Sequence, residues 1–489
     1  MKNIVYYIAI ATVLLFASCA SELDTEPSGS QVSDEQLGEL IKENADLVLA
    51  PMMQGAGNYM HTGNRQATTN DRGFMVWNLG MDLQGNDMVL TKLTNWFADE
   101  YMFESIRAQT NAYTADRWYC YYKIVYQSNQ ILDLIPDDVT GKALVYKAQA
   151  LTYRALAYYY LMCVYQDDYM HGGKDKAGVP LYLTVEGAKG RTPSTEVYST
   201  ITTDLQNAIA LFEQEGYDPK SSTADIDQTV ANMVLARVAL TTGDYTTAAN
   251  ASGAVSSGGD SLMNEEQYTT SGFQSTSLPE TIWGYTWAAS TSLGNRSFAS
   301  FMSITAVDNA NNKGIYMAID DQLYNQIADT DYRKKNFNAT ETTVGDFTYP
   351  AYSNVKFNTP TYEADEIYMR LSEAYLLKAE AEARGGNNSA AQQTLYDLVS
   401  KRDSGYAKSS NTGEALLKEI FLQSRIELWG EGHEFFTNKR FNVGVDRTAS
   451  SNHTHKLVKA AGKEFTYQIP LSIELNSNPY INAADQNPL

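Results

Sequence analysis

The sequence predicts a mainly α-helical protein. Tetratricopeptide-like helical hairpins form a scaffold, and a large insertion of irregular loops and short strands is set into it. Three observations predict this class. Apolar residues recur at helical spacing in several separated stretches, glycine and small residues fall where paired helices must turn, and the helical period lapses between about 256 and 362. The 489 residues are enough for one large body, assigned to 41–489, and a hydrophobic fraction of 43% is ordinary for a globular chain.

The first residues read as a targeting segment. Met1-Lys2-Asn3 is a short basic start, and Ile4 to Phe16 is almost wholly apolar. That run is too short to cross a bilayer comfortably but suits the apolar region of a secretory signal. In Leu14-Leu15-Phe16-Ala17-Ser18-Cys19, small residues directly before a cysteine resemble a bacterial lipobox. Residues 1–18 are therefore expected to be a lipoprotein signal peptide, with Cys19 acylated and 19–40 a lipidated tether containing Pro27 and Gly29. Acyl chains contribute about 0.8 kcal/mol per buried CH2, enough together to hold a soluble body on a membrane. No later segment is apolar for long enough to span a bilayer.

From Gly55 to about Asn95 the chain is rich in Gly, Asn, Asp and Thr, with isolated Trp77 and Trp96, the composition of loops on a helical body. Helical order starts near Ala112. Trp118, Tyr122, Val125 and Asn129 mark one face, Pro136 ends the segment, and Leu144 to Met162 hold register through a second helix, giving a hairpin near 112–165. Gly172-Gly173 and Gly178-Val179-Pro180 interrupt it, and Ser194, with Glu196 behind it, is the expected cap of the next helix. Ala231–Leu240, Gly243-Asp244-Tyr245 and Ala248-Ala249 repeat the pattern of helix, turn and helix near 230–255. In the irregular part, Trp283, Tyr285 and Trp287 alternate as a strand would place them. The last hairpin covers 364–402. Ile367, Leu371, Ala374 and Tyr375 share a face, Glu366/Arg370 and Glu380/Arg384 are spaced as helical ion pairs, and Gly385-Gly386 end the helix before Ala391, Leu395, Leu398 and Val399 begin another stripe. The hairpins are unevenly spaced, which argues against a continuous solenoid.

Charge and motifs narrow the function. Thirty-seven Lys and Arg against fifty-eight Asp and Glu give a formal charge of -21, a surface that repels phosphate backbones, so no nucleic-acid partner is expected. Apart from Cys19, Cys120 and Cys163 are expected as buried free thiols, although an exported chain could oxidise them. His433-Glu434-Phe435-Phe436-Thr437 begins like a zinc-protease motif but carries Thr437 where the second histidine must stand. His453-Thr454-His455 lacks further metal ligands, and no nucleophile elbow, phosphate loop or dinucleotide fingerprint occurs, so neither catalytic residues, metal nor cofactor is assigned. The chain has 34 Tyr and 6 Trp, and sugar rings present apolar faces that stack on aromatic rings. Trp118, Tyr122, Tyr158 and Tyr375 lie at helical spacing and are assigned to packing. Aromatics flanked by loop residues, namely Trp77, Trp96, Trp287, Phe301 and Tyr316, are the expected ligand contacts, with Asp82, Asn86 and Asn295 as polar partners.

Several segments fall in an order shared with a known family. They are Cys19 followed by Leu23-Asp24-Thr25-Glu26-Pro27; Trp118, Tyr122 and Ile124 continuing to Asn129; Ala150 to Tyr159; and Thr195-Glu196-Val197-Tyr198 through Leu205. Tyr368-Met369-Arg370-Leu371-Ser372-Glu373-Ala374-Tyr375, Arg425 to His433, Gln468-Ile469-Pro470 and Asn478-Pro479 follow. This suite resembles the SusD/RagB nutrient-binding lipoproteins of Gram-negative bacteria. The resemblance implies a SusD-like fold and a lipid-anchored, surface-exposed outer-membrane protein that captures oligo- or polysaccharide without cleaving it. It also implies delivery to a partner, a SusC-like TonB-dependent transporter. Peptide capture by a member of the same family is the near alternative, and an outer-membrane glycosidase or a pure protein scaffold are more distant ones. One departure stands out: where the family commonly places Arg after Gly432-His433, this chain has Glu434.

Overall fold

Ser33 opens the first helix. Its hydroxyl accepts from the Gln36 N–H while the Gln36 side chain accepts from the Ser33 N–H, a reciprocal cap that satisfies two otherwise orphaned donors. The computed structural model describes residues 33–63, 73–93, 96–104, 106–217, 223–288, 293–305 and 316–489. The expected signal segment and Cys19 lie outside the described residues. The tether expected to reach residue 40 does not: α1 (Asp34–Glu43) already occupies its end, and the Ser-x-x-Gln spacing is the reason.

Numbering helices of seven residues or more, the chain continues through α2 (Ala45–His61), α3 (Phe74–Asp82), α4 (Ala112–Leu134), α5 (Lys142–Tyr165), α6 (Ser194–Glu215), α7 (Gln228–Thr242) and α8 (Tyr245–Ser256). After the insertion come α9 (Leu371–Arg384), α10 (Asn388–Val399), α11 (Gly413–Glu427) and α12 (Glu434–Arg440). Helix α2 packs on α4, α4 on α5, α5 on α6, α6 on α7, α7 on α8, α8 on α9, and α9 on both α10 and α11. From α4 to α9 each helix thus buries one side against its predecessor and another against its successor, the logic of stacked hairpins. Because α8 meets α9 directly, the stack closes across the insertion. Cys120 and Cys163 are buried free thiols in α4 and α5.

The insertion contributes short antiparallel ladders. Strand β1 (Met88–Leu90) pairs with β3 (Met317–Ile319), β2 (Thr281–Tyr285) with β6 (Glu366–Arg370), and β4 (Thr342–Val344) with β5 (Phe347–Tyr349). Two expectations are corrected here. Glu366–Arg370 was expected to open a helix, yet all five residues are buried in β6 against β2, and α9 begins only at Leu371. A run of five residues fits either period, and the partner strand 281–285 decides it. The expected Glu380–Arg384 pair does form, at 2.8 Å, and Gly386 takes the left-handed φ of +86° just beyond the helix. Ser194, expected as a cap, is itself the first residue of α6, with Pro193 in the capping position.

A buried ionic cluster fastens the insertion to the helices. Glu427, at the end of α11, accepts from Arg370 (2.8 Å), Arg402 (3.1 Å) and Arg333 (3.1 Å). Arg370 also reaches Glu280 (2.8 Å) and Glu431 (2.6 Å), Lys356 pairs with Glu431 (2.5 Å), and Asp331 pairs with Arg333 (2.6 Å). Four cations meet four carboxylates, so the charge balances inside the protein, the condition under which buried ions are tolerated. Burial alone would raise Glu431, but Arg370 and Lys356 outweigh it and bring that carboxyl down to about 2.

Candidate functional site

The β1–β3 ladder ends beside one of the expected aromatic residues. Beyond its end, the Thr91 N–H and hydroxyl both donate to the Tyr316 carbonyl, at 3.2 and 3.0 Å, which ties Thr91 to Tyr316. Trp96, half-buried, lies 5.5 Å from the Phe301 ring. Phe97 holds a left-handed φ of +59°, uncommon for a bulky residue, and its ring meets Phe301 edge-on at 4.9 Å. Tyr316, also half-buried, meets Tyr349 edge-on at 4.9 Å, and Tyr349 donates to the Ile304 carbonyl at 3.1 Å. Phe347, 41% exposed, stands on the same hairpin. The result is a rim of partly accessible rings on rigid backing, with Phe301 as the fully buried support.

A second aromatic group surrounds Trp287. Its ring meets Tyr285 at 4.8 Å, and Tyr285 stacks on His61 at 3.8 Å. His61 Nδ1 and the Tyr368 hydroxyl are 2.8 Å apart. Burial pushes His61 down to about 3, so its ring is neutral, and burial pushes the neighbouring Glu366 carboxyl up to about 8. Trp287 is only 5% exposed, too covered to offer a ring face.

Trp77 and Asp82 lie in the core, and Asn86 is half-buried. Helix α3 is buried on every side, and Trp77, 2% exposed, meets Tyr121 edge-on at 5.8 Å. Asp82 accepts from the Gly432 and Glu434 N–H groups, at 2.8 and 2.9 Å, and burial lifts its carboxyl to about 7. Asn86 donates to the Gly444 carbonyl (3.1 Å) and accepts from the Asp446 N–H (2.8 Å). The Asp82 and Asn86 side chains are engaged in fixing the 432–446 segment. Asn295 is exposed on the turn Gly294–Arg296. The departure at Glu434 also has a structural account: its carboxylate accepts from the backbone N–H groups of Asn86 and Asp87. Burial and the adjacent Asp87 and Asp82 push Glu434 well above the usual carboxylate range.

Tyr349 was not anticipated. Its signal was present in Val344-Gly345-Asp346-Phe347, a two-residue Gly-Asp turn flanked by alternating residues, the mark of a hairpin. The His453 motif is a packing device: its ring nitrogens lie 2.6 Å from the Tyr101 hydroxyl and 2.9 Å from the Asn86 carbonyl. Among the described residues no three potential ligands gather for a metal ion.

Fold and site together define a helical-repeat protein in which the insertion and the segment before α4 both contribute aromatic rings to the rim. A SusD-like family model described as starch-binding associating with outer membrane matches residues 23–240, and the SusD family model matches 268–482. The two together span most of the chain, which belongs to the SusD family. No curated protein matches it. Among solved structures, a SusD-like carbohydrate binding protein from Bacteroides vulgatus is 24% identical, with a TM-score of 0.77 over 90% of this chain and 98% of that one. A SusD superfamily protein from Bacteroides thetaiotaomicron is 21% identical, with a TM-score of 0.75 over 91% of this chain and 99% of that one. Surface glycan-binding protein A from Bacteroides thetaiotaomicron, solved in complex with laminarihexaose, is 16% identical, with a TM-score of 0.67 over 90% and 99%.

Proposed function

We propose that this protein is a cell-surface lipoprotein that captures an oligo- or polysaccharide and hands it to a SusC-like TonB-dependent transporter without cleaving it. Acylated Cys19 anchors the body to the outer membrane. The observation that carries the reading is the pair of partly exposed rings, Trp96 backed by Phe301 and Tyr316 backed by Tyr349, in a SusD-family fold. Pyranose rings stack on such faces while their hydroxyls find polar neighbours, and contacts of this kind are individually weak, which suits capture followed by release. A relative of the same fold carrying laminarihexaose supports a glycan as the cargo.

Asp82 and Glu366, raised chiefly by burial, are enclosed in packing, which supports a role without bond cleavage. The test is affinity electrophoresis of the chain without residues 1–19, in gels containing plant, host and microbial polysaccharides, with the glycan recovered and sized afterwards. Retardation with uncut glycan is expected. Retardation with shortened glycan would replace capture by hydrolysis, and no retardation in any gel would overturn long-glycan binding.

A further inference from the structure

Helix α4 carries a second aromatic surface, on the side facing away from Trp77. Tyr119, Tyr122 and Tyr126 sit at i, i+3 and i+7, the spacing that sets side chains along one stripe of a helix. With Tyr182 and Glu186 of the loop after α5, and with Glu474 near the C-terminus, they line a depression of about 280 Å3. Tyr121, on the other side of the helix, is the residue that meets Trp77. The rings of the stripe are held in place: Tyr122 donates to the Pro180 carbonyl at 2.8 Å, and its ring meets Tyr182 edge-on at 5.8 Å. Tyr126 is 41% exposed, so a ring face remains open to solvent.

Lys123 is the basic residue of the groove's lining, beside Glu186 and Glu474. The Lys123 ammonium lies 5.4 Å from the centroids of both Tyr119 and Tyr126, and no carboxylate among the described residues pairs with it. The two acids nearby are already engaged. Glu186 pairs with Lys189 at 2.6 Å, and Glu474 accepts from the Trp118 indole N–H (3.1 Å) and the Asn478 amide (2.6 Å). A cation over two tyrosine rings, with no carboxylate partner among the described residues, fits a ligand with both an apolar ring face and an anionic group. The depression is sized for a single ring unit rather than for a protein partner.

We propose that this groove binds a uronic-acid unit of an acidic glycan, with its carboxylate on Lys123 and its ring face against Tyr119 or Tyr126. The proposal rests on the reading of the protein as a glycan-capturing one and adds a second, charge-selective subsite away from the Trp96–Tyr316 rim. A uronate carboxylate gains a charge-assisted contact that a neutral hexose lacks, so the subsite selects by charge and weakens with added salt.

The experiment is calorimetric titration of the chain without residues 1–19, which retains every described residue, using trigalacturonate, galactotriose and tetraglutamate as probes. Saturable binding of trigalacturonate is expected, at least tenfold tighter than galactotriose. Lys123→Met should weaken it about tenfold with unchanged Tm, Lys123→Arg should keep most of it, and Trp96→Ala/Tyr316→Ala should leave it intact. Equal binding of galactotriose, or binding indifferent to Lys123→Met, would overturn the proposal. Tetraglutamate binding as tightly, with the same sensitivity to Lys123→Met, would overturn the sugar assignment in favour of an acidic peptide. If trigalacturonate binds but only Trp96→Ala/Tyr316→Ala abolishes it, the groove proposal fails while glycan capture stands. Absence of trigalacturonate binding overturns the groove, and the polysaccharide gels then judge capture separately.

Discussion

At the scale of single residues, Trp96 and Tyr316 differ from Trp77 in what reaches their faces. Trp77 is enclosed by Tyr121 and by the rest of a fully buried helix, whereas Trp96 and Tyr316 keep part of their rings in solvent. Trp77→Ala should therefore act on stability, lowering it by about 3–5 kcal/mol as large-to-small core substitutions do, and glycan binding by the remaining folded protein should persist. Thermal melting followed by gel retardation separates the two effects. Gly432 belongs to the same scale. Its φ of +85° is left-handed, and a Cβ there would collide with the Asn78 side chain, so Gly432→Ala should unfold the 432–446 segment and lower Tm sharply. The aromatic candidates were legible as loop-flanked rings, but sequence could not separate Trp77 from Trp96. Both stand among Gly, Asn and Asp, and only burial distinguishes them.

At the scale of elements, two misreadings have the same origin. Helix α3 is apolar nearly all round, so it has no amphipathic period to read, and its polar flanks look like loop. Strand β6 is five residues long, and its apolar positions fit a helix as well as a strand until β2 is beside it. Long amphipathic helices such as α6 and α10 were legible because one stripe of each faces the core while the rest meets water. The β6–α9 junction is also where the ionic cluster converges. Arg370→Met would leave Glu427 and Glu431 without a main cation in the interior, and a loss of about 3–5 kcal/mol is expected in chemical denaturation. A loss below about 1 kcal/mol would show that the remaining cations, Arg402, Arg333 and Lys356, balance the cluster without it.

At the scale of the whole molecule, the buried carboxyls set a pH dependence. Glu366 is raised to about 8 and Asp82 to about 7, both by burial, so between their unfolded values near 4 and these folded values the native state holds protons that the unfolded chain has released. Stability from these two groups is complete below about pH 4 and declines as pH rises through 7 and 8. Glu431 works in the opposite sense: lowered to about 2, it stabilises above its unfolded value and loses that contribution as pH falls toward 2. Melting temperature should therefore peak at mildly acidic pH, and Glu366→Gln should flatten the decline on the alkaline side. The same overall plan, a helical stack that closes across an insertion, keeps its scaffold while segments outside the stacked helices supply the rim. The most direct test of capture at that rim is the mobility of a Trp96→Ala/Tyr316→Ala variant in the polysaccharide gel that retards the parent protein. The account predicts that retardation is lost while Tm stays within a few degrees of the parent; undiminished retardation would place the glycan elsewhere and contradict it.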